Sequence, residues 1–332
     1  MNDRPRDRTR RICDDNAQPV RALVVSNMAP TAADPARGAF VRTQVAALRR
    51  LGGADVELFE FRPGAYLGAA RALRAMRGFD VVHAHFGLTA WPAFAVRGAR
   101  RAVTLHGTDV RHPRSWRITS AALGRMDLVA AASEELAALV RERRPGTAVQ
   151  VLPTGVDLER FRPLDRAESR ARLGLDATAR LALFGADPSR PEKRADRARE
   201  AAERAGAQLL TLGRVPPDDV PIWVNASDAV LVPSDREGFG LAVLEALACD
   251  VPVLATPVGV HAEALDGVSG TLCAPFDTDA WATALRSAPP RIEGRDRAAR
   301  WGADAMAERV LAAWKSLVDS NPEAPGTGAL VS

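Results

Sequence analysis

The sequence is short of several features that mark particular classes of protein. Its three cysteines, Cys13, Cys249 and Cys273, are odd in number and lack metal-ligand spacing, which indicates a reducing cytoplasm and no disulfide framework. No run of 18 apolar residues occurs and the start is rich in Arg and Asp, so we expect neither a membrane-spanning helix nor a signal peptide. The absence of Gly-x-Gly-x-x-Gly weighs against a nucleotide-dependent dehydrogenase.

Charge is unevenly distributed along the chain. The net charge of +4 combines 21 arginines against 13 acidic residues over residues 18–165 with an acidic excess of four over residues 166–305. Arg71, Arg74 and Arg77 recur at helical spacing in the basic half. Aromatic residues make up only 5% of the chain and none are interleaved with this charge, so nucleic acid is not an expected partner. A solvated arginine face is the favoured explanation of the pattern.

The length and the alternation of elements predict two domains. With 332 residues, 47% of them hydrophobic, the chain can bury two cores. Predicted strands alternate with helices, which indicates α/β domains with parallel sheets. We place the domains at 18–165 and 166–305 with a hinge in 159–175, a last helix at 306–320, and disordered tails at 1–17 and 321–332.

The stretch 233–256 is the most informative part of the sequence. An apolar strand ends at Pro233, a turn carries Gly238 and Gly240, and a short helix follows whose free N–H groups suit an anion such as a phosphate. Glu237 precedes this helix and Glu245 lies inside it, roughly 10 Å further along at 1.5 Å per residue. This layout suits a nucleotide sugar, with sugar hydroxyls at one carboxylate and ribose at the other. The alternative is that both glutamates are ordinary residues of a surface helix.

The spelling of this stretch, Glu-Gly-Phe-Gly-Leu-x-x-x-Glu-Ala followed by Pro-Val, closely resembles the donor-site signature of family 4 retaining glycosyltransferases of the GT-B superfamily. Further segments match in the expected order, so that the resemblance covers about residues 20 to 315. They are residues 38–41, 80–85, 104–109, 153–157 and 226–228. The resemblance implies a GT-B architecture, in which two Rossmann-like domains with parallel sheets face a central cleft and the last helix crosses back onto the first domain.

The resemblance also implies functional residues. The catalytic set is His106, Lys193 and Glu237, with His106 beside the donor sugar and Lys193 on the diphosphate. The donor-binding set is Gly38, Arg190, Lys193, Gly213, Glu237, Gly238, Phe239, Gly240, Leu241 and Glu245. Lys193 is one of only two lysines in the chain, the other being Lys315, and an ammonium suits a phosphate oxygen. Whether Arg190 or Arg194 is its partner stays open.

The acceptor side and the partners are less constrained. Asp109, Arg111 and Arg114 follow His106 and are the candidate acceptor residues. We expect a UDP-linked donor, no metal and no cofactor, in the synthesis of a polysaccharide, a glycolipid or a natural product. His83 and His85 could share a strand face, but no third metal ligand stands out. The basic first half resembles the membrane-facing surface of some lipid-modifying relatives, which implies a cytoplasmic enzyme peripheral to the membrane.

The sequence departs from the family pattern at several positions, and functions other than glycosyl transfer are also possible. Val260 and Ala262 replace a Gly and a Pro of the common motif, and Asp250 replaces a common Gly. Asp277 and Asp279 could be a metal motif, but their position before a predicted helix favours capping. The alternatives to a transferase are a nucleotide-sugar epimerase of the same fold and a non-catalytic scaffold that binds sugar nucleotides.

Overall fold

The computed structural model describes residues 18–320 except Ala33, Pro35 and Arg214. The two predicted tails, 1–17 and 321–332, and Cys13 therefore lie outside the described residues. Cys249 and Cys273 are free thiols.

The first domain contains a six-stranded parallel sheet in the order β2-β1-β3-β4-β5-β6. Its strands are β1 Val20–Ser26, β2 Ala54–Glu60, β3 Val81–His85, β4 Arg100–Leu105, β5 Leu128–Ala131 and β6 Gln150–Val151. The helices between them are α1 Ala39–Leu51, α2 Tyr66–Leu73, α3 Ala90–Ala93, α4 Thr108–Arg111, α5 Pro113–Leu123 and α6 Glu134–Arg143. Strand β1 is buried at six of its seven positions, as expected when helices cover both faces of a parallel sheet.

The second domain contains a five-stranded parallel sheet in the order β11-β10-β9-β7-β8. Its strands are β7 Leu181–Phe184, β8 Gln208–Thr211, β9 Ala229–Val232, β10 Val253–Ala255 and β11 Leu272–Cys273. The remaining helices are α7 Arg166–Leu173, α8 Ala195–Ala205, α9 Val220–Ala226, α10 Leu241–Ala248, α11 His261–Leu265, α12 Thr278–Arg286, α13 Arg295–Ala299 and α14 Ala303–Asp319. The predicted fold class, two parallel α/β sheets facing a cleft, is confirmed.

The chain crosses between the domains twice, and the two crossings are hydrogen-bonded to each other. The amide of Val156 donates to the carbonyl of Trp301 at 2.9 Å, and the amide of Ala303 donates to the carbonyl of Val156 at 2.8 Å. A Cβ at Gly155 would lie 2.9 Å from the Cα of Ala303, so glycine permits this close approach. The segment 159–175, where the sequence predicted the hinge, contains helix α7 and is thus partly helical.

The last helix returns to the first domain. Helix α14 begins at Ala303, three residues before the predicted 306, and packs against α1, with Trp314 fully buried in the core that includes Val24 and Leu48. The last part of the chain forms two helices, α13 and α14, because the segment between them joins the crossing at Val156.

Two local predictions at helix ends have clear outcomes. The carboxylate of Asp277 accepts a hydrogen bond from the amide of Ala280 at 2.8 Å, which confirms it as the N-cap of α12. Asp250 adopts a left-handed conformation, with φ of 55°, where the family pattern has a glycine. Its side chain accepts hydrogen bonds from the amides of Gly294 and Arg295, and these contacts offset the strain of that conformation.

Candidate active site

A cavity of about 950 Å³ lies between the carboxyl ends of the two sheets. The first domain contributes Phe40, His106 and Thr154 to its wall, and the second contributes Lys193 together with residues 236–242 and Glu245. Ligands of open parallel sheets bind at this edge, because the loops after successive strands converge there. The cavity is the candidate active site.

Glu237 is buried at the floor of the cavity and has two side-chain partners. The ammonium of Lys193 lies 2.5 Å from one carboxylate oxygen, and the hydroxyl of Ser234 donates to the other at 2.8 Å. Lys193 is 9% exposed and Glu237 8%. Two charges so far from water require each other as partners, because either one alone would be buried uncompensated. The sequence predicted both residues but not their pairing, and it gave no role to Ser234.

The glycine turn brings the backbones of the two domains into contact. A Cβ at Gly238 would lie 2.2 Å from the carbonyl oxygen of His106, and one at Gly107 would lie 3.4 Å from the Cα of Gly238. On its other side the turn meets Gly259, where a Cβ would lie 2.3 Å from the carbonyl oxygen of Phe239. The approach of the two domains at Gly238, and the packing of Gly259 on Phe239, are therefore possible only with glycine at these two positions.

Helix α10 points its N-terminus into the cavity. Gly240, the residue before it, has φ of 114°, and Leu241 and Ala242 of its first turn both line the wall. The amides of a first helical turn lack partners within the helix and attract anions. The imidazole of His261 supports this turn from behind, since a Cβ at Gly240 would lie 2.6 Å from it. These residues can hold a diphosphate between Glu237 and Glu245.

Glu245 faces a second cavity of about 350 Å³ that shares Phe40, Leu241 and Glu245 with the first. Burial raises the pKa of Glu245 to about 7, against an opposing effect of Arg160. Arg160 lies over the ring of Phe161 at 4.8 Å and was not predicted from the sequence. Gly213 also lines this second cavity. The two joined cavities provide room for a ligand longer than a single sugar.

His106 belongs to a row of buried histidine rings. His83 and His85 stack with ring centroids 5.1 Å apart, and His85 and His106 also stack at 5.1 Å. Nδ1 of His85 lies 3.0 Å from Nε2 of His106, and the indole nitrogen of Trp314 donates to Nδ1 of His83 at 3.0 Å. Burial lowers the pKa of His83 to about 4 and of His106 to about 3, so both rings are neutral at physiological pH. No group of three or more metal-ligating side chains occurs within the described ranges.

The three candidate acceptor residues occupy different environments. Asp109 is buried, and its carboxylate accepts hydrogen bonds from the amides of Gly87, His106 and Gly107, so it shapes the loop that carries His106. Burial raises the pKa of Asp109 against the effect of these amides. Arg111 lines the cavity, whereas Arg114 is exposed and lies outside its wall.

Glu135 links the acceptor side to the donor side, which the sequence did not indicate. One of its carboxylate oxygens lies 2.5 Å from Arg111, and the other accepts a hydrogen bond from the amide of Gly259 at 3.2 Å. Glu135 stands in the first turn of α6, after the N-cap Ser133. Only the juxtaposition of the two domains brings this carboxylate to Gly259.

Of the remaining candidate residues, some line the cavity and others lie outside its wall. Arg190 lines the wall and pairs with Glu192 at 2.6 Å, whereas Arg194 is not part of the wall and pairs with Asp196 and Asp235. Arg190 is thus the arginine on the cavity side of Lys193. Gly38 lies outside the wall at the start of α1, with φ of 69° and a Cβ position 2.5 Å from the carbonyl oxygen of Met28. A role for Gly38 through its own contact with donor stays a prediction.

Solved structures with this architecture are glycosyltransferases of the GT-B type. The fold is similar to that of a glycosyltransferase from Rickettsia africae, with a TM-score of 0.70 and 16% identity over 92% of this chain and 100% of that one. It is also similar to Anabaena HepE in complex with UDP-glucose, with a TM-score of 0.68 and 18% identity over 89% of this chain and 99% of that one. These likenesses establish the GT-B fold.

Sequence comparison establishes the family. The model for Glycosyltransferase Family 4 matches residues 17–160, and that for Glycosyl transferases group 1 matches residues 164–288. A D-inositol 3-phosphate glycosyltransferase of Frankia alni is 30% identical over 88% of this chain and 88% of its own length. One of Nocardia farcinica is 29% identical over 71% of this chain and 64% of its own length. The chain belongs to glycosyltransferase family 4, and it is a glycosyltransferase.

Proposed function

We propose that the protein transfers a sugar from a nucleotide diphosphate sugar, with UDP as the favoured carrier, to an acceptor hydroxyl. The transfer retains the anomeric configuration and needs no metal. The observation that carries this proposal is the linear arrangement of Glu237, the N-terminus of α10 and Glu245 along two joined cavities. Their order matches the sugar, the diphosphate and the ribose of such a donor. The solved relative Anabaena HepE binds UDP-glucose, which supports this choice.

The chain's own residues supply the chemistry. Attack occurs on the face that the leaving group vacates, so that the acceptor oxygen bonds to the anomeric carbon while the bond to the diphosphate oxygen breaks. The proton of the acceptor hydroxyl passes to that phosphate oxygen. Lys193 stabilises the negative charge that develops on the diphosphate, together with Arg190 and the amides of α10. Glu237 holds the sugar hydroxyls and keeps the ammonium of Lys193 in place, 2.5 Å away.

The acceptor side of the cavity favours an anionic acceptor. Arg37 and Arg111 line this wall, and the carboxylate of Asp109 is occupied by backbone amides. The two guanidinium groups, of which Arg111 also pairs with Glu135, give this wall its positive charge. The relatives from Frankia alni and Nocardia farcinica bear the name D-inositol 3-phosphate glycosyltransferase, so D-inositol 3-phosphate is the first acceptor to test.

Nucleotide binding tests the proposal. UDP, GDP, ADP and dTDP are added without metal, and we expect UDP to raise the melting temperature most. Ionised Glu245 accepts hydrogen bonds from both ribose hydroxyls, so with its pKa near 7 the UDP shift should grow between pH 6 and pH 8. Glu245→Gln, which resembles the protonated carboxyl, should lower the shift at pH 8 and remove its dependence on pH. In the free protein the same substitution should stabilise the fold at pH 8 by roughly 1–3 kcal/mol, because the raised pKa makes the buried carboxylate costly above its unfolded pKa.

Product analysis separates the transferase from its alternatives. Release of UDP from UDP-glucose that depends on D-inositol 3-phosphate, with an α-linked product by NMR, supports retaining transfer. Conversion of the donor sugar without an acceptor identifies an epimerase. Donor binding with no turnover across a panel of hydroxyl acceptors identifies a non-catalytic scaffold. Activity that survives EDTA supports metal independence.

The first domain also carries a surface suited to an anionic membrane, in keeping with a peripheral enzyme on its cytoplasmic face. Residues 61–126 contain 11 arginines and two acidic residues, Asp80 and Asp109. Helix α3 packs between α2 and α5, and these helices expose Leu67, Trp91 and Ile118. Arginines around exposed apolar side chains favour binding to anionic lipid headgroups. No helix in the described part of the chain is long and apolar enough to cross a membrane.

Vesicle binding tests this surface. We expect the protein to co-sediment with vesicles containing phosphatidylglycerol and not with pure phosphatidylcholine. Arg71→Glu with Arg74→Glu should lower the bound fraction at least about tenfold, since each basic residue near the surface contributes roughly 1 kcal/mol. The control is Arg172→Glu with Arg199→Glu, two exposed arginines of the second domain. Equal losses in both variants would show a non-specific charge effect.

A further inference from the structure

Four aromatic side chains connect the last helix to the active site. Trp314 of α14, His83 and His85 of β3, and His106 after β4 form a continuous row of hydrogen bonds and ring stacks. His83 and His85 are 0% and 1% exposed. None of the roles proposed above for transfer requires His85, although it is the side chain that contacts the ring of His106 at a nitrogen.

The proton of His83 is fixed by its two neighbours. An indole nitrogen can only donate, so Nδ1 of His83 must accept the hydrogen bond from Trp314. The proton of neutral His83 then lies on Nε2, which donates to the hydroxyl of Thr104 at 2.8 Å. His83 thus has both nitrogens occupied, and it contacts His85 by stacking.

The position of the proton on His85 can be inferred from the nitrogen that has no hydrogen-bond partner. Nε2 of His85 is buried and has no hydrogen-bond partner, while Nδ1 lies 3.0 Å from Nε2 of His106. A buried donor left unpaired is rarer in proteins than a buried acceptor left unpaired. The favoured arrangement places the proton of His85 on Nδ1, where it is donated to His106. Burial and the neighbouring histidines lower the pKa of His85 well below its usual value, so it carries one proton.

The proton position of His85 determines which nitrogen of His106, a residue of the cavity wall, carries a proton. Its Nε2 accepts the hydrogen bond from His85, so its own proton lies on Nδ1, the nitrogen left for a ligand. Phe40 and Phe86 contact the ring at centroid distances of 4.9 and 4.7 Å and hold its plane. An Nδ1–H can donate to a sugar or acceptor oxygen, but it has no lone pair with which to remove a proton.

We infer that His85 is a positioning residue that presents His106 to the bound substrate as a neutral hydrogen-bond donor at Nδ1 and prevents it from acting as a general base. The inference rests on the proposed function, because it assigns His106 a bond to an oxygen of the donor sugar or the acceptor. It agrees with proton transfer to the leaving phosphate, which requires no basic side chain. It also excludes a role for His106 in stabilising positive charge at the anomeric carbon, since an N–H edge would repel that charge.

The experiment compares His85→Phe with His83→Phe. Phenylalanine keeps a stacked ring at either position, but only His85→Phe removes the hydrogen bond to His106. Long-range ¹H–¹⁵N NMR of ¹⁵N-histidine protein reports the tautomer of each ring, and the chain has only five histidines to assign. UDP release from UDP-glucose, with D-inositol 3-phosphate, gives kcat and KM, and melting temperatures report the fold.

We expect wild-type His106 to carry its proton on Nδ1. In His85→Phe we expect a mixture of tautomers and a fall in kcat of roughly 10–100-fold, as is typical when the partner that orients a functional histidine is removed. The KM for UDP-glucose should change by less than about threefold. His83→Phe should leave the tautomer of His106 unchanged and kcat within about threefold, even if both variants melt at a similarly lower temperature.

Two results would overturn the inference. The first is a wild-type His106 with its proton on Nε2, and the second is a His85→Phe protein with an unchanged His106 tautomer or unchanged kcat. If UDP release is never observed, the proposed transfer fails instead. The NMR measurement needs no turnover, so the two failures can be told apart.

Discussion

Lys193→Ala is expected to lower kcat by roughly 10²–10³-fold, the loss that follows when one preorganised group facing developing charge is removed. Lys193 is nearly buried at the cavity wall, and the proposed reaction places the leaving diphosphate against it. The substitution also leaves the carboxylate of Glu237 without its charged partner. A further loss of stability of about 3–5 kcal/mol is therefore expected.

The sequence supplies a matched control for this variant. Lys315 is the only other lysine in the chain, and it is exposed on α14. Lys315→Ala should leave kcat within about twofold and the free energy of unfolding within about 0.5 kcal/mol. The double variant Lys193→Ala with Glu237→Gln should recover stability without recovering kcat, because it removes the unpaired charge but not the need for a cation at the diphosphate. A Lys193→Ala protein with kcat within threefold of wild type would show that Lys193 does not assist the leaving group.

Gly238→Ala is expected to lower kcat/KM at least about 100-fold with little change in melting temperature. The added Cβ would lie 2.2 Å from the carbonyl oxygen of His106, and carbon and oxygen atoms usually remain at least about 3.3 Å apart. The two domains must therefore separate by about 1 Å at the floor of the cleft. A displacement of this size in an active site can cost roughly 10²-fold in rate. Neither sheet is disturbed, so the domains should stay folded.

Gly68→Ala provides the control for the effect of the methyl group itself. Gly68 lies within α2, and a Cβ there would meet no atom within 4 Å. Alanine should stabilise that helix by up to about 1 kcal/mol and leave kcat/KM unchanged. Small-angle scattering of Gly238→Ala with saturating UDP should give a larger radius of gyration than wild type. A Gly238→Ala protein that retains wild-type kcat/KM would show that contact at this glycine is not needed for catalysis.

Much of the donor side could be predicted from the sequence because its residues are close together in the chain. Glu237, the glycine turn and Glu245 lie within nine residues, so their order along a strand, a turn and a helix follows from local structure alone. The same holds for the strands, whose apolar runs end at loops facing the cleft, and for the N-cap Asp277. The alternation of strands and helices similarly determined two parallel sheets.

Other features of the site depend on contacts between distant segments, which no local pattern encodes. Lys193 and Glu237 are 44 residues apart, and Trp314 and His83 are 231 apart. The sequence placed His83 and His85 on one strand and raised a metal as one possibility for them. Parallel pairing of β3 with β4, which sets His85 beside Thr104, was needed to bring His85 to His106. Strand register could have suggested this contact, but the terminal helix could not.

The sequence by itself determined the fold class, the donor motif and the residue types at the candidate site, because apolar periodicity and turn chemistry act over a few residues. Only the tertiary structure decided which of those residues meet. It showed that Asp109, which lines the cavity, also shapes the loop of His106 through its carboxylate, and it placed Arg114 outside the cavity wall and joined Arg111 to Gly259 through Glu135. The physical reason is that these contacts join loops that follow different strands, and the contact of Glu135 with Gly259 also depends on how the two sheets pack across the cleft.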